Sequence, residues 1–479
     1  MRIKGLLVIL LFTISLLQAQ KPRFEKFGHP TKKDFAFQKY DAEPESVGVI
    51  LYESGNYYVK SVGIRIFLVK EFYRKIKVLD AKKFDYSHVE IGYYEGNVWN
   101  TEEVMEYEAI THNGSEQSRV PKDGFYKTQE SSNRTSLKFT FPDVQNGSIL
   151  EYKFTIMTPH FYYLNGWEFQ HELPTLYSLF QTDLPINFKY NHILYGDQEL
   201  TVKLKTLKKD GFGLPNYNGR IDTEVHLYAM ENIPSFIDED YMLARKNYVA
   251  RIVFEPMSFK SFNVDWKEQV FTRNWKDVDE RFKNDEDFGD QLTQKNYFRR
   301  KLPNEILNIP DNLERAKAVY KFIQDQYTWN GNYFNYEIKV KDDFKNKLGS
   351  VAAINLSLIN AFEAAELNAK PVLLSTRNNG LPTELYPVLS NFNYVIAVLF
   401  INNERILLDA TNKQAPFGII PFPALNVQGR VMDFKKGSYW MPIEPFKQNV
   451  HYANAQITAE ANGNFTGKVS QASYGYIGL

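Results

Sequence analysis

The sequence predicts a β-rich α+β protein with several domains, and three observations lead to this prediction. The 479 residues are enough for about three domains of about 150 residues each. Tyr and Phe number 31 and 36, and aromatic residues favour strands. Apolar residues recur at every second position before residue 260 and at helical spacing after residue 309. We therefore expect an antiparallel β-sandwich-like domain, then an α+β core, then the start of a C-terminal β domain.

The domain boundaries follow the changes in composition and period along the chain. The predicted segments are a signal peptide over residues 1–19, the β-sandwich-like domain over 20–260, a charged helical connector over 261–308, the α+β core over 309–448 and the start of a truncated C-terminal β domain over 449–479. The last segment holds a hairpin signal around Asn462-Gly463 but little chain beyond it, so we expect a fragment of a longer protein.

The N-terminus has the layout of a secretory leader. Arg2 and Lys4 precede the short apolar run from Leu6 to Leu17, and Ala19 offers a small residue for cleavage. The run is too short to span about 30 Å of hydrocarbon, and no later stretch is apolar enough to do so. With no cysteine available for disulfides, we expect export to the periplasm or surface of a bacterium, and no transmembrane segment after the leader.

Charge and cysteine content exclude several classes of function. Lys plus Arg equals Asp plus Glu, 57 against 57, so no basic field attracts nucleic acid. The absence of cysteine excludes thiolate metal sites, iron–sulfur clusters and a cysteine nucleophile. The histidines show neither HxH nor HExxH spacing, so we predict no metal site and no cofactor.

The clearest strand signals lie in the predicted β-sandwich-like domain. From Ser136 to Ile156, two runs of alternating apolar and polar residues flank a loop over Pro142–Ser148, which predicts an antiparallel hairpin. Lys75–Val78 and Thr201–Leu204 repeat the alternation. These patterns indicate strands with one buried face.

Helical spacing begins after residue 309. Asp311 is the predicted cap of a first helix, and Ser350 is the predicted cap of a second helix whose polar side includes Asn360. The strands expected to follow are Pro371–Leu374, Phe392–Ile401, which we expect to be covered on both faces, and Arg405–Asp409.

This order of elements carries a family resemblance. The stretches GSVAAINLSLINAFEAAELNAKPVLLSTRNNG, FNYVIAVLFINNERILLDATN and APFGIIPFPALN resemble the core of the transglutaminase-like superfamily, in its exported bacterial branch. In that branch the core follows a β-rich domain, which FYRKIKVL, FTFPDVQNGSILEYKFTIMTP and GWEFQHELP resemble. The resemblance covers about Glu45 to Phe446 and implies a papain-like α+β core.

The resemblance also implies the positions of a catalytic triad. Catalytic members use Cys, His and Asp, with the Cys at a helix start and the His and Asp on following strands. The matching positions here are Val351, Tyr394 and Asp409, so two of the three residues are replaced. Independently of the alignment, the chain has no cysteine and no histidine between residues 227 and 450. The core therefore has neither a thiol nor an imidazole with which to perform this chemistry.

Other residues could still contact a ligand or react. Ser350 is either a helix cap or a nucleophile without an obvious base. Trp329, which follows the first core helix, is either an ordinary core residue or part of a surface that binds a peptide or sugar. Tyr394 and Asp409 complete the set of cleft candidates.

Three functions are compatible with these observations. The first is an exported, non-catalytic transglutaminase-like protein that binds or scaffolds a peptide or a cell-envelope polymer. The second is a hydrolase that uses other groups, for example a carboxylate pair acting on polysaccharide. In the third, the core supports a function carried by the N-terminal β domain or by a missing C-terminal part.

Overall fold

A computed structural model describes residues 21–97, 99–214, 219–262, 268–270, 274–334, 337–384, 387–445 and 448–478. The predicted signal peptide lies outside the described residues. Strands make up 42% of the chain and helices 18%, so the protein is β-rich with an α+β arrangement, as predicted. The chain divides into two compact units: unit 1 comprises 1–237 and 249–269, and unit 2 comprises 238–248 and 270–479.

Unit 1 is built almost entirely from strands. Its elements are α1 (Lys32–Ala36), β1 (Gly48–Val62), β2 (Arg65–Val78), β3 (His88–Tyr94), β4 (Glu103–Asn113), β5 (Glu116–Arg119), β6 (Tyr126–Ser131), β7 (Arg134–Thr140), β8 (Ile149–Thr158), β9 (Trp167–Glu168), β10 (Thr175–Pro185), β11 (Phe188–Tyr195), β12 (Val202–Gly213), β13 (Arg220–Ile233), β14 (Arg251–Lys260) and β15 (Glu268–Val270), which reaches the boundary of the unit.

Three sheets form unit 1. The largest has eight strands in the order β12-β13-β10-β1-β2-β8-β4-β5, in which β1 and β10 pair in parallel. A second sheet has the order β3-β7-β6, and a third has the order β11-β14-β15 with β9 paired to β14. Both smaller sheets pack on the large one. Leu150 and Phe139 share one apolar cluster, while Phe180 and Phe254 share another.

The predicted hairpin over 136–156 is wrong. β7 pairs with β3 and β6, whereas β8 pairs with β2 and β4 in the large sheet. The two strands face each other across the core, with the rings of Phe139 and Tyr152 5.9 Å apart. An alternating pattern requires only one buried face, and facing strands of two sheets satisfy it as well as paired neighbours do.

Unit 2 combines helices with one larger antiparallel sheet. Its elements are α2 (Trp275–Lys283), α3 (Lys295–Arg299), α4 (Asn304–Leu307), α5 (Asn312–Gln326), β16 (Thr328–Trp329), α6 (Val340–Asn346), β17 (Leu348–Gly349), α7 (Val351–Ala364), β18 (Asn368–Leu374), β19 (Tyr394–Ile401), β20 (Glu404–Leu408), β21 (Gln428–Val431), β22 (Tyr439–Pro442), β23 (Val450–Ala459) and β24 (Phe465–Tyr474).

The five-stranded sheet of unit 2 has the order β20-β19-β18-β21-β22. β19 is central, and its residues alternate between two apolar clusters, so it is covered on both faces as predicted. Asp311 caps α5 by accepting a hydrogen bond from the Glu314 N–H at 2.9 Å, which confirms the predicted helix start. Phe288 and Phe298, which lie within the predicted connector over 261–308, belong to the core of this unit.

The helix α7 is buried on all sides. Every residue except Glu363 is buried, because the helix packs against β18 and β19 and also against α3, α5 and α6. The expectation that Asn360 lies on a polar side is therefore wrong. Its side-chain N–H donates to the Gln291 carbonyl at 2.7 Å inside the core.

The last two strands form an antiparallel hairpin. β23 pairs with β24 along its whole length, as the Asn462-Gly463 signal predicts, and Gly463 takes the left-handed φ of 85° that the turn requires. Nearly all residues of this hairpin are exposed. Among the helices that the structure describes, none is both long and apolar enough to cross a membrane.

Candidate functional site

The start of α7 is the position that the sequence motifs predict to match the nucleophile of catalytic family members. Ser350 caps the helix, and its hydroxyl oxygen accepts a hydrogen bond from the Ala353 N–H at 3.2 Å. The serine is 3% exposed and Val351 is 1% exposed. Ser350 is therefore a buried helix cap, and Val351 places an apolar side chain in the first turn.

The N–H groups at this helix start are already hydrogen-bonded within the chain. The N–H of Val351 donates to the Asn332 carbonyl at 3.0 Å, and that of Ala352 donates to the Tyr333 carbonyl at 3.1 Å. The first N–H groups of a helix have no partner within the helix, so they can bind an anion when they are free. Here the loop after Trp329 occupies them, and the helix start offers no free anion site.

Tyr394 and Asp409, the positions predicted to match the family's histidine and aspartate, contact each other. Tyr394 begins β19 and its hydroxyl donates to Asp409 Oδ2 at 3.0 Å. The other carboxylate oxygen, Oδ1, accepts hydrogen bonds from both the Thr411 N–H, at 2.9 Å, and the Thr411 hydroxyl. Tyr394 and Asp409 are both buried, with 3% and 1% of their surface exposed. A phenol thus donates to the carboxylate where an imidazole would do so in a triad.

Burial controls the acidity of this pair. It raises the pKa of Asp409, and the hydrogen bonds from Thr411, Tyr394 and Asn355 oppose that rise. Burial also raises the pKa of Tyr394 above its ordinary value, as does the nearby Asp409 carboxylate. Tyr394 therefore stays protonated and donates a hydrogen bond to Asp409. It cannot take a proton from Ser350.

Sequence reasoning missed Asn355. This residue lies one turn after Val351 in α7 and is fully buried. Its side-chain N–H donates to the Val395 carbonyl at 2.9 Å, and its Oδ1 accepts from the Ala410 N–H at 3.0 Å. The amide thus joins the helix to the backbone beside both Tyr394 and Asp409. The one available signal was a polar residue within the apolar run VAAINLSL.

Trp329 is the exposed member of the candidate set. It lies in β16, is 42% exposed, and stacks on Tyr333 with ring centroids 6.0 Å apart and planes within 5°. Tyr333 in turn contacts Tyr394 edge-on at 5.0 Å. Three aromatic rings therefore lead from the surface to the buried carboxylate of Asp409. Tyr336, in the same segment, lies outside the described residues.

The structure therefore brings the predicted positions together but closes them off. Val351 and Tyr394 belong to one buried apolar cluster, which Ile420 and Ala424 complete. Of the four candidates for ligand contact, only Trp329 reaches the surface. Within the described part of the chain, no group of three or more His, Asp or Glu side chains is arranged to hold a metal ion.

Comparisons with known proteins show similarity in fold only. No family model and no curated protein matches the chain. A structure from Parabacteroides distasonis ATCC 8503, described as a "putative protease", is 12% identical over 84% of this chain and 72% of its own, with a TM-score of 0.51. A "putative cysteine protease" from Cytophaga hutchinsonii is 11% identical over 81% of this chain and 89% of its own, with a TM-score of 0.23. A structure described as a TGase is 11% identical over 50% and 52%, with a TM-score of 0.20.

The first of these similarities shows a shared fold. The chain has a fold similar to that of the Parabacteroides structure, and the sequence motifs predict that this fold is transglutaminase-like. In unit 2 this fold consists of the helix α7 packed on the antiparallel strands β18, β19 and β20. At 12% identity, the similarity carries no information about activity.

Proposed function

We propose that this protein is an exported, non-catalytic transglutaminase-like protein that binds a peptide or a cell-envelope polymer. The observation that carries the proposal is the closed centre at the start of α7. The carbonyls of Asn332 and Tyr333 accept hydrogen bonds from the first N–H groups of the helix. Tyr394 and Thr411 donate hydrogen bonds to the Asp409 carboxylate. A triad needs these groups free to receive a substrate and to move a proton.

The side chains at this centre also lack the required reactivity. No cysteine is present, and no histidine lies between residues 227 and 450. The Ser350 oxygen accepts a hydrogen bond as a cap, and burial keeps Tyr394 protonated. Asp409 has both oxygens engaged and is 1% exposed, so it does not fit the solvent-accessible carboxylate pair of a glycosidase.

A binding role is supported by the aromatic surface above the closed centre. Trp329 and Tyr333 stack in parallel, and Trp329 exposes 42% of its area. A planar aromatic face with a polar edge suits contact with a sugar ring or with a peptide side chain. Muropeptides, the soluble fragments of peptidoglycan, carry both sugars and peptides and are therefore the natural first probe.

Catalysis is tested directly on the mature chain. We expect residues 20–479, with Ser350→Ala for comparison, to show no amine incorporation into a glutamine peptide and no casein hydrolysis above a buffer control. The physical reason is the missing thiol and imidazole. Turnover by the native chain that Ser350→Ala abolishes would overturn the non-catalytic assignment.

Binding is tested by adding muropeptides to the protein and following the change in its tryptophan fluorescence. We expect Trp329→Ala to weaken binding by at least about tenfold, which corresponds to about 1.4 kcal/mol and is a common contribution of an aromatic contact. Trp99→Ala is the matched control, because Trp99 is an exposed tryptophan of unit 1 at 69%. Absence of binding, or an equal loss in both variants, would contradict the proposed surface.

Export is tested in the native host. The proposal expects the mature protein to begin at or near Gln20, which N-terminal sequencing of the secreted or periplasmic fraction would establish. A soluble cytosolic protein that retains Met1 would refute export but leave the binding proposal unaffected.

A further inference from the structure

Unit 1 contains a cavity of about 420 Å³ whose lining is apolar in one part and polar in the other. The large sheet supplies Lys205, Glu224, His226 and Leu184 to its wall. In the strand register, Lys205 pairs with His226 and Leu184 pairs with Glu224. Because His226 and Glu224 are two residues apart on β13, all four side chains share one face of the sheet.

The opposite wall comes from the sheet that contains β11 and β14. Phe188, Tyr190 and His192 alternate along β11, so all three point to the same face. A β-bulge leaves Met257 of β14 without a direct partner between the pairs Lys189–Ser258 and Tyr190–Pro256. A cavity of this volume can hold a ligand of small-molecule size.

The polar side chains form one hydrogen-bonded chain. His192 Nδ1 lies 2.6 Å from the Tyr228 hydroxyl, which lies 3.2 Å from His226 Nδ1. His226 Nε2 lies 3.3 Å from Glu224 Oε2, and Lys205 Nζ lies 2.8 Å from Glu224 Oε1. Tyr228 is 1% exposed, and its hydroxyl contacts the imidazole rings of both His192 and His226. Among the described residues, His192 Nε2 has no hydrogen-bond partner, and it is therefore free to donate to a ligand.

The electrostatics of the cavity favour an anion. The His192 side chain is partly exposed. Partial desolvation and the charges of His226, Lys205 and Lys203 together lower its pKa to about 4, against the effect of Glu224. Burial also lowers the pKa of His226, against the effect of Glu224. Lys189 and Tyr190 of β11 also line the cavity. The uncharged ring of Phe254, on β14, lies 4.4 Å from the ring of His192.

The charge of a bound anion would oppose the lowering of these pKa values, because a negative charge favours protonated imidazoles. A cation is disfavoured, since the Glu224 carboxylate is already shared between Lys205 and His226. The apolar part of the lining restricts the ligand further. Ile186 and Met257, which are 44% and 42% exposed, add apolar surface to the lining.

We propose that this cavity binds a small organic anion with one carboxylate and an apolar body. The carboxylate would accept hydrogen bonds from His192 and Lys205, and the body would lie against Leu184, Phe188 and Met257. This site is independent of the function proposed for unit 2, because every residue that lines it belongs to unit 1.

Benzoate is the probe for calorimetric titration of the mature chain. We expect binding at pH 5.5 to be about fivefold tighter than at pH 7.5, the size expected when one imidazole pKa rises by about two units on binding. Titration in two buffers with different ionisation enthalpies should show proton uptake at pH 5.5. Benzamide, a neutral molecule of the same shape, should bind at least about tenfold more weakly.

Variants identify the site. His192→Gln should remove the pH dependence, and Lys205→Met should weaken binding by about tenfold at both pH values. His88→Gln is the matched control and should change neither, because His88 is an exposed histidine on β3 in a different sheet. If a variant fails to fold, NMR of the native protein replaces it, with benzoate expected to shift two histidine ring signals and to leave that of His88 unchanged.

Three results would each overturn the proposal: no binding of benzoate at millimolar concentration, equal binding of benzamide, or a pH dependence that His192→Gln retains. None of these results bears on the binding surface around Trp329, so failure here is distinguishable from failure of the proposed function.

Discussion

Asp409 in unit 2 and Glu53 in unit 1 are buried carboxylates that are stabilised by different partners. Asp409 is surrounded by neutral donors, the hydroxyls of Tyr394 and Thr411 and the N–H of Thr411. Glu53 is instead paired with the Arg74 guanidinium, which donates to its Oε2 at 2.7 Å, and His171 Nε2 lies 2.8 Å from its Oε1. Cationic partners compensate a buried negative charge better than hydroxyls do. Accordingly, the pKa of Asp409 is raised and that of Glu53 is lowered.

The Tyr394–Asp409 hydrogen bond gives the first prediction at this scale. Tyr394→Phe removes one donor from a buried carboxylate and should cost about 1–3 kcal/mol of unfolding free energy. The cost should be larger at pH 8 than at pH 4, because the hydroxyl stabilises the ionised carboxylate more than the protonated one. Urea unfolding of both proteins at the two pH values measures the difference.

The double variant Tyr394→Phe with Asp409→Asn provides the control for this pair. A neutral amide depends less on the phenol, so the double variant should lose less stability than the two single variants combined. Tyr439→Phe, at a 41% exposed tyrosine, should be neutral. Strictly additive costs would indicate that the hydrogen bond contributes nothing specific to the carboxylate.

Glu53 gives a prediction of the opposite sign. Burial alone would raise its pKa, but the charges of His171 and Arg74, with hydrogen bonds from His171 and Ser178, lower it from 4.5 to about 2. A lowered carboxylate pKa stabilises the fold above pH 4.5, and this stability is lost as the pH falls towards 2. Glu53→Gln should therefore cost about 3 kcal/mol at neutral pH and progressively less towards pH 2. The measurement is acid unfolding followed by circular dichroism, with Glu116→Gln, at an exposed position, as the control. A stability difference between the native protein and Glu53→Gln that stays constant with pH would contradict this account.

At the scale of elements, α7 illustrates what periodicity can and cannot predict. Its start at Ser350 and the strands after it follow from local signals, namely a capping residue, apolar spacing and an Asn402-Asn403 turn with φ values of 52° and 65°. Its environment does not follow from them. The helix lies between a sheet and three helices, so the side-chain N–H groups of Asn355 and Asn360 donate to tertiary partners instead of to solvent.

The same distinction explains the hairpin error in unit 1. The alternation in β7 and β8 correctly gives two strands with one buried face each. Which strand each one pairs with depends on contacts distant in sequence, β3 and β6 for one, β2 and β4 for the other. At the candidate site, the positions Val351, Tyr394 and Asp409 could be carried over by motif. The hydrogen bonds from the helix start to the carbonyls of Asn332 and Tyr333 could not be predicted, because a loop conformation leaves no periodic signal in the sequence.

The buried amide of Asn355 gives a prediction about how α7 is held against the sheet. Asn355→Leu has a similar volume but leaves the Val395 carbonyl and the Ala410 N–H without their partner. Each unsatisfied buried group costs about 1–3 kcal/mol, so we expect a loss of about 3 kcal/mol in urea unfolding. Asn368→Ala, at an exposed position of β18, is the control and should stay within about 0.5 kcal/mol of the native protein. A neutral Asn355→Leu would show that the helix does not depend on this amide link.

For the whole molecule, the two compact units each have an apolar core of their own. The clusters around Phe180 and Leu150 belong to unit 1, and the cluster around Ala352 belongs to unit 2. Units with separate cores commonly open as separate cooperative units. Apart from the short α1, the α-helices that the structure describes lie in unit 2, so the helical signal in circular dichroism reports mainly on that unit.

This organisation predicts that the two stabilising networks act locally. In hydrogen exchange with mass spectrometry under mild urea, Asn355→Leu should lower the opening free energy of core peptides from unit 2 by about 3 kcal/mol and leave unit 1 unchanged. Glu53→Gln should have the converse effect at neutral pH, because its partners Arg74, His171 and Ser178 all lie in unit 1. The double variant should then show both losses, since changes in independent units add. An equal loss in both units from either single variant would mean that the chain opens as one cooperative structure, and the binding sites proposed around Trp329 and His192 would then be coupled through global unfolding.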